Sequence, residues 1–279
     1  NWSGTLMLIG QPAEETGPGS IAMMEDNLWQ RFGVPDYAMG FHVASSFEAG
    51  TVNVIEGAPF AGADSVEIVV HGIGSHGAEP QAGKDPVLIA SQIVVALQAL
   101  VSREISPREP AVVTVGSFHS GTKGNIIPDI ARLQLTVRNT NLETRQKLLD
   151  GIRRIATNMG RVAGLAEDML PEVIVSKDFV PPTVNNNAMV RRLKKVWQSK
   201  MGIDRVTSIQ PDHMGGEDFP YFTLEPVIPS VYFEIGGTPK EAFEIAKNGG
   251  IAVSTHHSAL FKIEPAAAIK SGVEATVYA

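Results

Sequence analysis

Two adjacent carboxylates, Glu14 and Glu15, close the stretch Gln11-Pro-Ala-Glu-Glu15, which directly follows the short apolar run Thr5–Ile9. Neighbouring side chains on extended backbone point in opposite directions. The two can therefore play different parts, one coordinating a cation while the other takes a proton from an activated water. A solvated acidic loop has the same appearance. Imidazoles follow at His42, in Gly40-Phe-His-Val43, and at His256-His257-Ser258 near the far end. A histidine flanked by apolar residues is usually a hydrogen-bonded core residue, so neither is decisive by itself. Taken together, Glu15, His42 and His257 each read as following a strand, in separate crossovers, and carboxylate plus imidazole suits zinc, manganese or cobalt. The sequence holds no Gly-x-Ser-x-Gly elbow and no cysteine. With serine and thiol nucleophiles set aside, metal-activated water is the economical route to hydrolysis.

The elements that must carry these residues alternate in kind. Thr5–Ile9 is continuously apolar, as a buried parallel strand requires. Ser20–Phe32 has apolar residues at helical spacing and stops at Gly33, and Tyr37–Val43 reads as a strand ending in His42. Ligands of open α/β sheets sit beyond the carboxyl ends of strands, which is where Glu14, Glu15 and His42 fall on this reading. From about residue 63 to 176 the order changes to βαββαβ, the ferredoxin-like sandwich. Its signals are local: Asp85 caps a helix with Pro86 in its first turn, and Thr140-Asn-Leu-Glu143 reads as a capping box. Strands are expected at Ser65–His71, Ala111–Phe118, Ala131–Arg138 and Pro171–Ser176. After a linker near 177–184, a helix marked by Met189, Val190, Leu193, Val196 and Trp197 runs to Gly202, and α/β texture returns with a strand at Ser230–Ile235 and a helix at Pro265–Ala279. The expected architecture is α/β in two domains: 1–62 with 177–279 as a split catalytic domain, and 63–176 inserted into it.

Composition narrows the partners. A net charge of −7 with scattered Lys and Arg leaves no basic stripe for a phosphate backbone, so nucleic acid is not expected. The longest apolar run, Ile89–Val101, carries Ser and Gln and falls short of a bilayer span, so no membrane is expected either. The sequence starts at Asn1 without Met and stops at Ala279 inside what reads as a helix, which is the expectation for a piece of a longer chain. Compartment is not indicated.

Several further stretches, in order, complete a pattern: Gly74-Ser-His-Gly-Ala-Glu-Pro80 with Asp85-Pro86, Gly116-Ser-Phe-His-Ser-Gly121, Asn125-Ile-Ile-Pro-Asp129, Thr136-Val-Arg138, Met214-Gly-Gly-Glu-Asp-Phe219 and His257-Ser258. With Gln-Pro-Ala-Glu-Glu and Phe-His they resemble the M20 metallopeptidases, closest to the amidohydrolase, or aminoacylase, branch, over nearly the whole chain. The resemblance implies Glu14 as general base, and Glu15, His42 and His257 as ligands of two divalent ions, zinc or manganese. It implies that the βαββαβ unit is a lid that also carries the contact of a homodimer. In that lid His76 and Asn125 would stabilise an oxyanion, and Arg138 would hold the substrate carboxylate. Glu217 and Asp218 are expected to orient their neighbours, and His71, His119, His213 and His256 read as structural.

Two departures stand out. The family's remaining metal ligands lie in a His-x-Cys-Gly-His-Asp stretch upstream of Gln-Pro-Ala-Glu-Glu, which this sequence lacks, so metal is expected to be weakly held or absent in the chain as given. Gln81 stands where relatives often have His. The activity implied is hydrolysis of the amide bond of N-acyl amino acids or related carboxylate-bearing conjugates and peptides. The rival from another class is a catalytically incomplete fragment serving only as a dimerisation or binding module. A second rival is a metal-free hydrolase with Glu14 and another carboxylate as an acid–base pair.

Overall fold

The computed structural model describes residues 3–16 and 19–279. Along the first stretch lie helices α1 (Gly19–Glu25) and α2 (Leu28–Phe32), then strands β1 (Ala38–Glu48), β2 (Val52–Asn53) and β3 (Gly57–Phe60). The middle stretch holds β4 (Gly62–His71), β5 (Ser75–His76), α3 (Pro86–Ala99), β6 (Ala111–Ser120), β7 (Ile126–Ile127), β8 (Ile130–Asn139), α4 (Leu142–Val162) and β9 (Glu172–Val175). The last contains β10 (Thr183–Asn185), α5 (Asn187–Met201), β11 (Val206–Thr207), β12 (Ser230–Thr238), α6 (Lys240–Lys247) and α7 (Pro265–Val277).

Contacts divide the chain into two units. One comprises Asn1–Phe60, Thr183–His213 and Asp218–Ala279; the other comprises Ala61–Pro182 with Met214–Glu217. The first, the α/β unit, is built on a mixed sheet in the order β1-β12-β2-β11. β12 is parallel to β1 and antiparallel to β2, and it is apolar and buried along almost its whole length, as an interior strand must be. On it pack α5 and α7 through Trp197, which is fully buried, lies 5.0 Å from the Phe233 ring and donates from Nε1 to the Ala275 carbonyl at 2.9 Å. α5 ends at Gly202, where φ is 105°, a backbone angle that favours glycine.

The inserted unit is the ferredoxin-like sandwich. Its sheet runs β6-β8-β4-β9, wholly antiparallel, with α3 and α4 sharing one core with alternate residues of β4 and β8. Asp85 caps α3 as its sequence implies, accepting from Val87 and Leu88 backbone N–H groups. The helix continues through a π-type turn over Leu100–Glu104, so Pro86–Glu104 is 19 residues long and, by length and composition alone, apolar enough to cross a membrane. The apolar run identified in the sequence is thus too short by several residues. Its inner face, however, belongs to this core: Ile89, Ala90, Ile93, Leu97 and Leu100 are all buried.

Asp64 on β4 has no exposed side-chain surface and is bound by Arg145 of α4 through three contacts of 2.7–3.0 Å. The same guanidinium lies 3.8 Å from the centre of the Phe179 ring, which ties the exit segment to the sandwich.

Four sequence expectations are corrected. Thr5–Ile9 is not a strand, and Leu6 and Leu8 are exposed; none of the described strands pairs with it, and an apolar run without an edge to join gains no ladder. Met7 is the member of this run that packs on a core. Ser20–Phe32 is two short helices rather than one, because Asn27 adopts a left-handed conformation, which Asn tolerates, at φ 61°. α4 is capped by Asn141, not Thr140: the Asn141 side chain accepts from the Thr144 N–H at 2.8 Å. Lastly, β1 runs on to Glu48, so His42 sits in mid-strand rather than at its end.

Candidate metal centre

Glu14 and Glu15 do not follow a strand; they form a single 3-10 turn, Glu14–Thr16, entered through Ala13 at a φ of 56°. A left-handed alanine costs backbone energy of about 1–3 kcal/mol, so something else must hold the turn. That anchor is Asp218, which is buried. Its carboxylate accepts from Gln11 Nε2 at 2.7 and 2.8 Å and from the Ser20 N–H at 3.1 Å, gripping the turn from both sides in sequence. Glu14 is half-buried and Glu15 exposed.

His42 projects from the middle of β1, where Gly40, two residues before it, makes room for the Tyr232 ring; a Cβ there would lie 2.7 Å from two of its carbons. The His42 ring places Nδ1 2.7 Å from the Val43 carbonyl. With the proton committed to Nδ1, Nε2 presents its lone pair outward. His257 follows no strand either; it lies in the loop between α6 and α7, at a φ of 62°. Its Nε2 is 2.7 Å from Glu15 Oε2. Both side chains are mostly exposed, so the pair adds at most about 1 kcal/mol to stability. Its significance is placement.

Three stretches distant in sequence therefore meet. Ligand atoms of Glu14, Glu15 and His42 all lie within 4.8 Å of one another, and His257 joins through Glu15. Carboxylate oxygens and imidazole nitrogens at this spacing fit a borderline divalent cation such as zinc or manganese. Glu14 is set apart electrostatically. Burial raises its pKa above the ordinary carboxylate value, and repulsion by Glu15 and Asp218 raises it further, against a smaller opposing pull from His42 and His257. A carboxylate that prefers its proton is better fitted to carry one than to bind a cation.

In the inserted unit, β5 and β7 pair as a short ribbon, with Ser75 opposite Ile127 and His76 opposite Ile126. The Gly77 N–H donates to the Asn125 carbonyl at 2.8 Å, which sets His76 and Asn125 at neighbouring positions of one ribbon. His76 Nδ1 accepts from the Ala78 N–H, leaving Nε2 to carry the proton and act as a donor. Arg138, on β8, is steadied by Thr136 Oγ1 at 3.1 Å and by the Met214 carbonyl at 3.4 Å.

Two contributors lack a distinct signal in the sequence. Gln11 precedes the acidic pair, yet its partner lies 207 residues away. His256 is overshadowed by its neighbour His257, although it makes the more extensive contacts: the Ser45 N–H donates to its Nε2 at 3.1 Å, and its ring stands edge-on to His42 at 5.6 Å.

Comparison with known proteins agrees with this architecture. Residues 61–162 match the family model described as "Peptidase dimerisation domain". The chain is 37% identical over 236 residues to thermostable carboxypeptidase 2 of Saccharolobus solfataricus, covering 84% of this chain and 57% of the relative. It is 37% identical over 223 residues to the hippurate hydrolase of Campylobacter jejuni, covering 80% of this chain and 56% of the relative. Among solved structures, the YxeP protein of Bacillus subtilis, described as a dinuclear metal-binding peptidase, superposes at a TM-score of 0.71 and 26% identity, covering 96% of this chain and 62% of that one. The chain thus spans less than two-thirds of each.

Proposed function

Because the chain belongs to the M20 family, we propose that the protein hydrolyses the amide bond of N-acyl amino acids or related carboxylate-bearing conjugates and peptides, in a metal-dependent reaction. The observation that carries the reading is the convergence of Glu14, Glu15, His42 and His257 from three separate stretches of sequence. Names borne by relatives, carboxypeptidase and hippurate hydrolase, are consistent with that bond type.

In this reading Glu15, His42 and His257 hold metal, with two divalent ions in the complete site and zinc or manganese the ions best suited to the donors. When bound, such ions polarise a carbonyl and acidify water. Glu14 takes the proton of the attacking water and returns it to the leaving amine, a role for which its raised pKa fits it. His76, through its Nε2–H, and Asn125, through its amide, are assigned to the oxyanion, where oriented donors are most effective. Arg138 is assigned to the substrate carboxylate, which its planar fork matches. Homodimerisation through the inserted unit completes the proposal.

The test separates base from ligand in the full-length protein. Glu14→Gln keeps size and hydrogen bonding but cannot accept a proton, so turnover of N-acyl amino acids should fall by about 100-fold or more with metal content unchanged. Glu15→Gln should lower bound metal, with activity partly restored by excess ion. Loss of metal in the first variant and retention in the second reverses the assignment. Unchanged turnover in both reduces the pair to a solvated loop.

A further inference from the structure

We infer that His256 is a positioning residue that fixes the His42 imidazole in its ligand-ready orientation by occupying the outer edge of β1. This rests on the proposed metal site insofar as His42 is a ligand there.

Strand alternation decides which groups of β1 are free. The Ala38 N–H donates to the Pro229 carbonyl, on the side of β12, so even-numbered residues at this end of β1 turn their N–H and C=O groups toward β12. The N–H and C=O of Val43 and the N–H of Ser45 therefore turn to the opposite edge, where no strand pairs among the described residues, whereas the Ser45 carbonyl accepts from Thr238 Oγ1 of β12 at 2.6 Å. His256 takes the place of one. Its Nε2 lies 3.1 Å from the Ser45 N and 3.0 Å from the Val43 O, and its Nδ1 lies 3.3 Å from Ser45 Oγ. Nε2 thus faces a donor, the Ser45 N–H, and an acceptor, the Val43 carbonyl, and can serve only one of them. In the inferred tautomer Nε2 accepts from Ser45, the proton sits on Nδ1 facing the Ser45 hydroxyl oxygen, and the Val43 carbonyl is served by another donor.

That choice governs His42. With His256 Nε2 unprotonated, the Val43 carbonyl is left to accept from His42 Nδ1 at 2.7 Å. The His256 ring is itself wedged between His42 and Phe261, with centroids 5.6 Å from each. Standing at 83° to the His42 plane, it blocks the ring flip that would exchange Nδ1 for Nε2. One imidazole thus supplies the backbone partner of a missing strand and a wall for its neighbour. A leucine would keep the wall in part and lose the bridge. A glutamine would restore the contact with β1, since its carboxamide oxygen can accept from the Ser45 N–H.

The experiment has two readouts. In metal-free full-length protein labelled with 15N-histidine, two-bond 1H–15N correlations report the His42 tautomer; competition against a chromophoric chelator reports zinc affinity. The unaltered protein should show His42 protonated on Nδ1. His256→Leu should give a tautomer mixture and zinc affinity lower by about 10–100-fold, the range for partners that orient a ligand. His256→Gln should restore both. A His42 tautomer and zinc affinity unchanged by His256→Leu overturns the inference. So does finding His42 protonated on Nε2 in the unaltered protein, an outcome that needs no variant to fold. If the unaltered protein takes up no zinc, the metal reading fails, and the tautomer measurement alone decides the role of His256.

Discussion

The buried ion pair of the inserted unit offers a sharp quantitative test, because its two members are desolvated unequally. The Asp64 side chain is fully buried, whereas that of Arg145 keeps 19% of its surface in contact with water. Removing one partner of a buried pair leaves an uncompensated charge and costs about 3–5 kcal/mol. The structure assigns the two ends of that range. Asp64→Ala strands a guanidinium that still reaches solvent and still stacks on Phe179, so its cost should fall near about 3 kcal/mol. Arg145→Met strands a carboxylate with no water and should cost near about 5 kcal/mol. The double variant removes both charges and should lie within about 1 kcal/mol of the unaltered protein, since hydrophobic replacement of a whole buried pair is often neutral. Urea denaturation at pH 7, followed by far-UV circular dichroism, yields all three values. An Asp64→Ala cost exceeding that of Arg145→Met would refute the solvation argument. A double variant as unstable as the sum of the singles would refute the pairing itself.

Three other expectations follow from the site and its supports. Asp218→Ala releases Gln11 and the Ser20 N–H, so zinc affinity should drop by about 10–100-fold while the circular dichroism spectrum is retained; unchanged affinity would mean the acidic turn holds itself. Glu14 has a folded pKa above its ordinary value of 4.5, so its ionisation works against folding as pH rises through the raised pKa, and the penalty is absent below 4.5. In chelator-treated protein Glu14→Gln should therefore be more stable than the unaltered chain at pH 8 and equal to it near pH 4, by thermal midpoint; a gain of the same size at both would exclude ionisation as the cause. Trp197→Ala should cost about 3–5 kcal/mol through the cavity it leaves against Phe233, and a cost under about 1 kcal/mol would show that α5 is not anchored there.

What the sequence makes legible is what is local. Asp85-Pro86 declares the start of α3 because cap and proline act within one turn, and the βαββαβ order follows from boundaries of that kind. Thr5–Ile9 misleads because strandedness belongs to a pair of segments, and no partner edge is written within five residues. The same limit applies to the site. Residue types identify Glu15, His42 and His257 as candidate donors, yet their supporting strands are misplaced, and the carriers are a 3-10 turn, a mid-strand position and a loop. Gln11, Asp218 and His256 work through contacts more than 190 residues long, which single-sequence periodicity does not register.

The open edge of β1 bears on how the chain behaves in concentrated solution. An eleven-residue strand with one side unpaired among the described residues, flanked by exposed Phe41 and Met39, is a template for edge-to-edge growth. Such growth needs an uninterrupted row of donors and acceptors, and His256 breaks the row at Val43 and Ser45. With those two positions occupied, the unpaired run on either side is shorter, and edge-to-edge growth there is expected to be impeded. A chain lacking the imidazole would present the whole edge and should precipitate at lower concentration, with a thioflavin signal that grows with the square of protein concentration or faster.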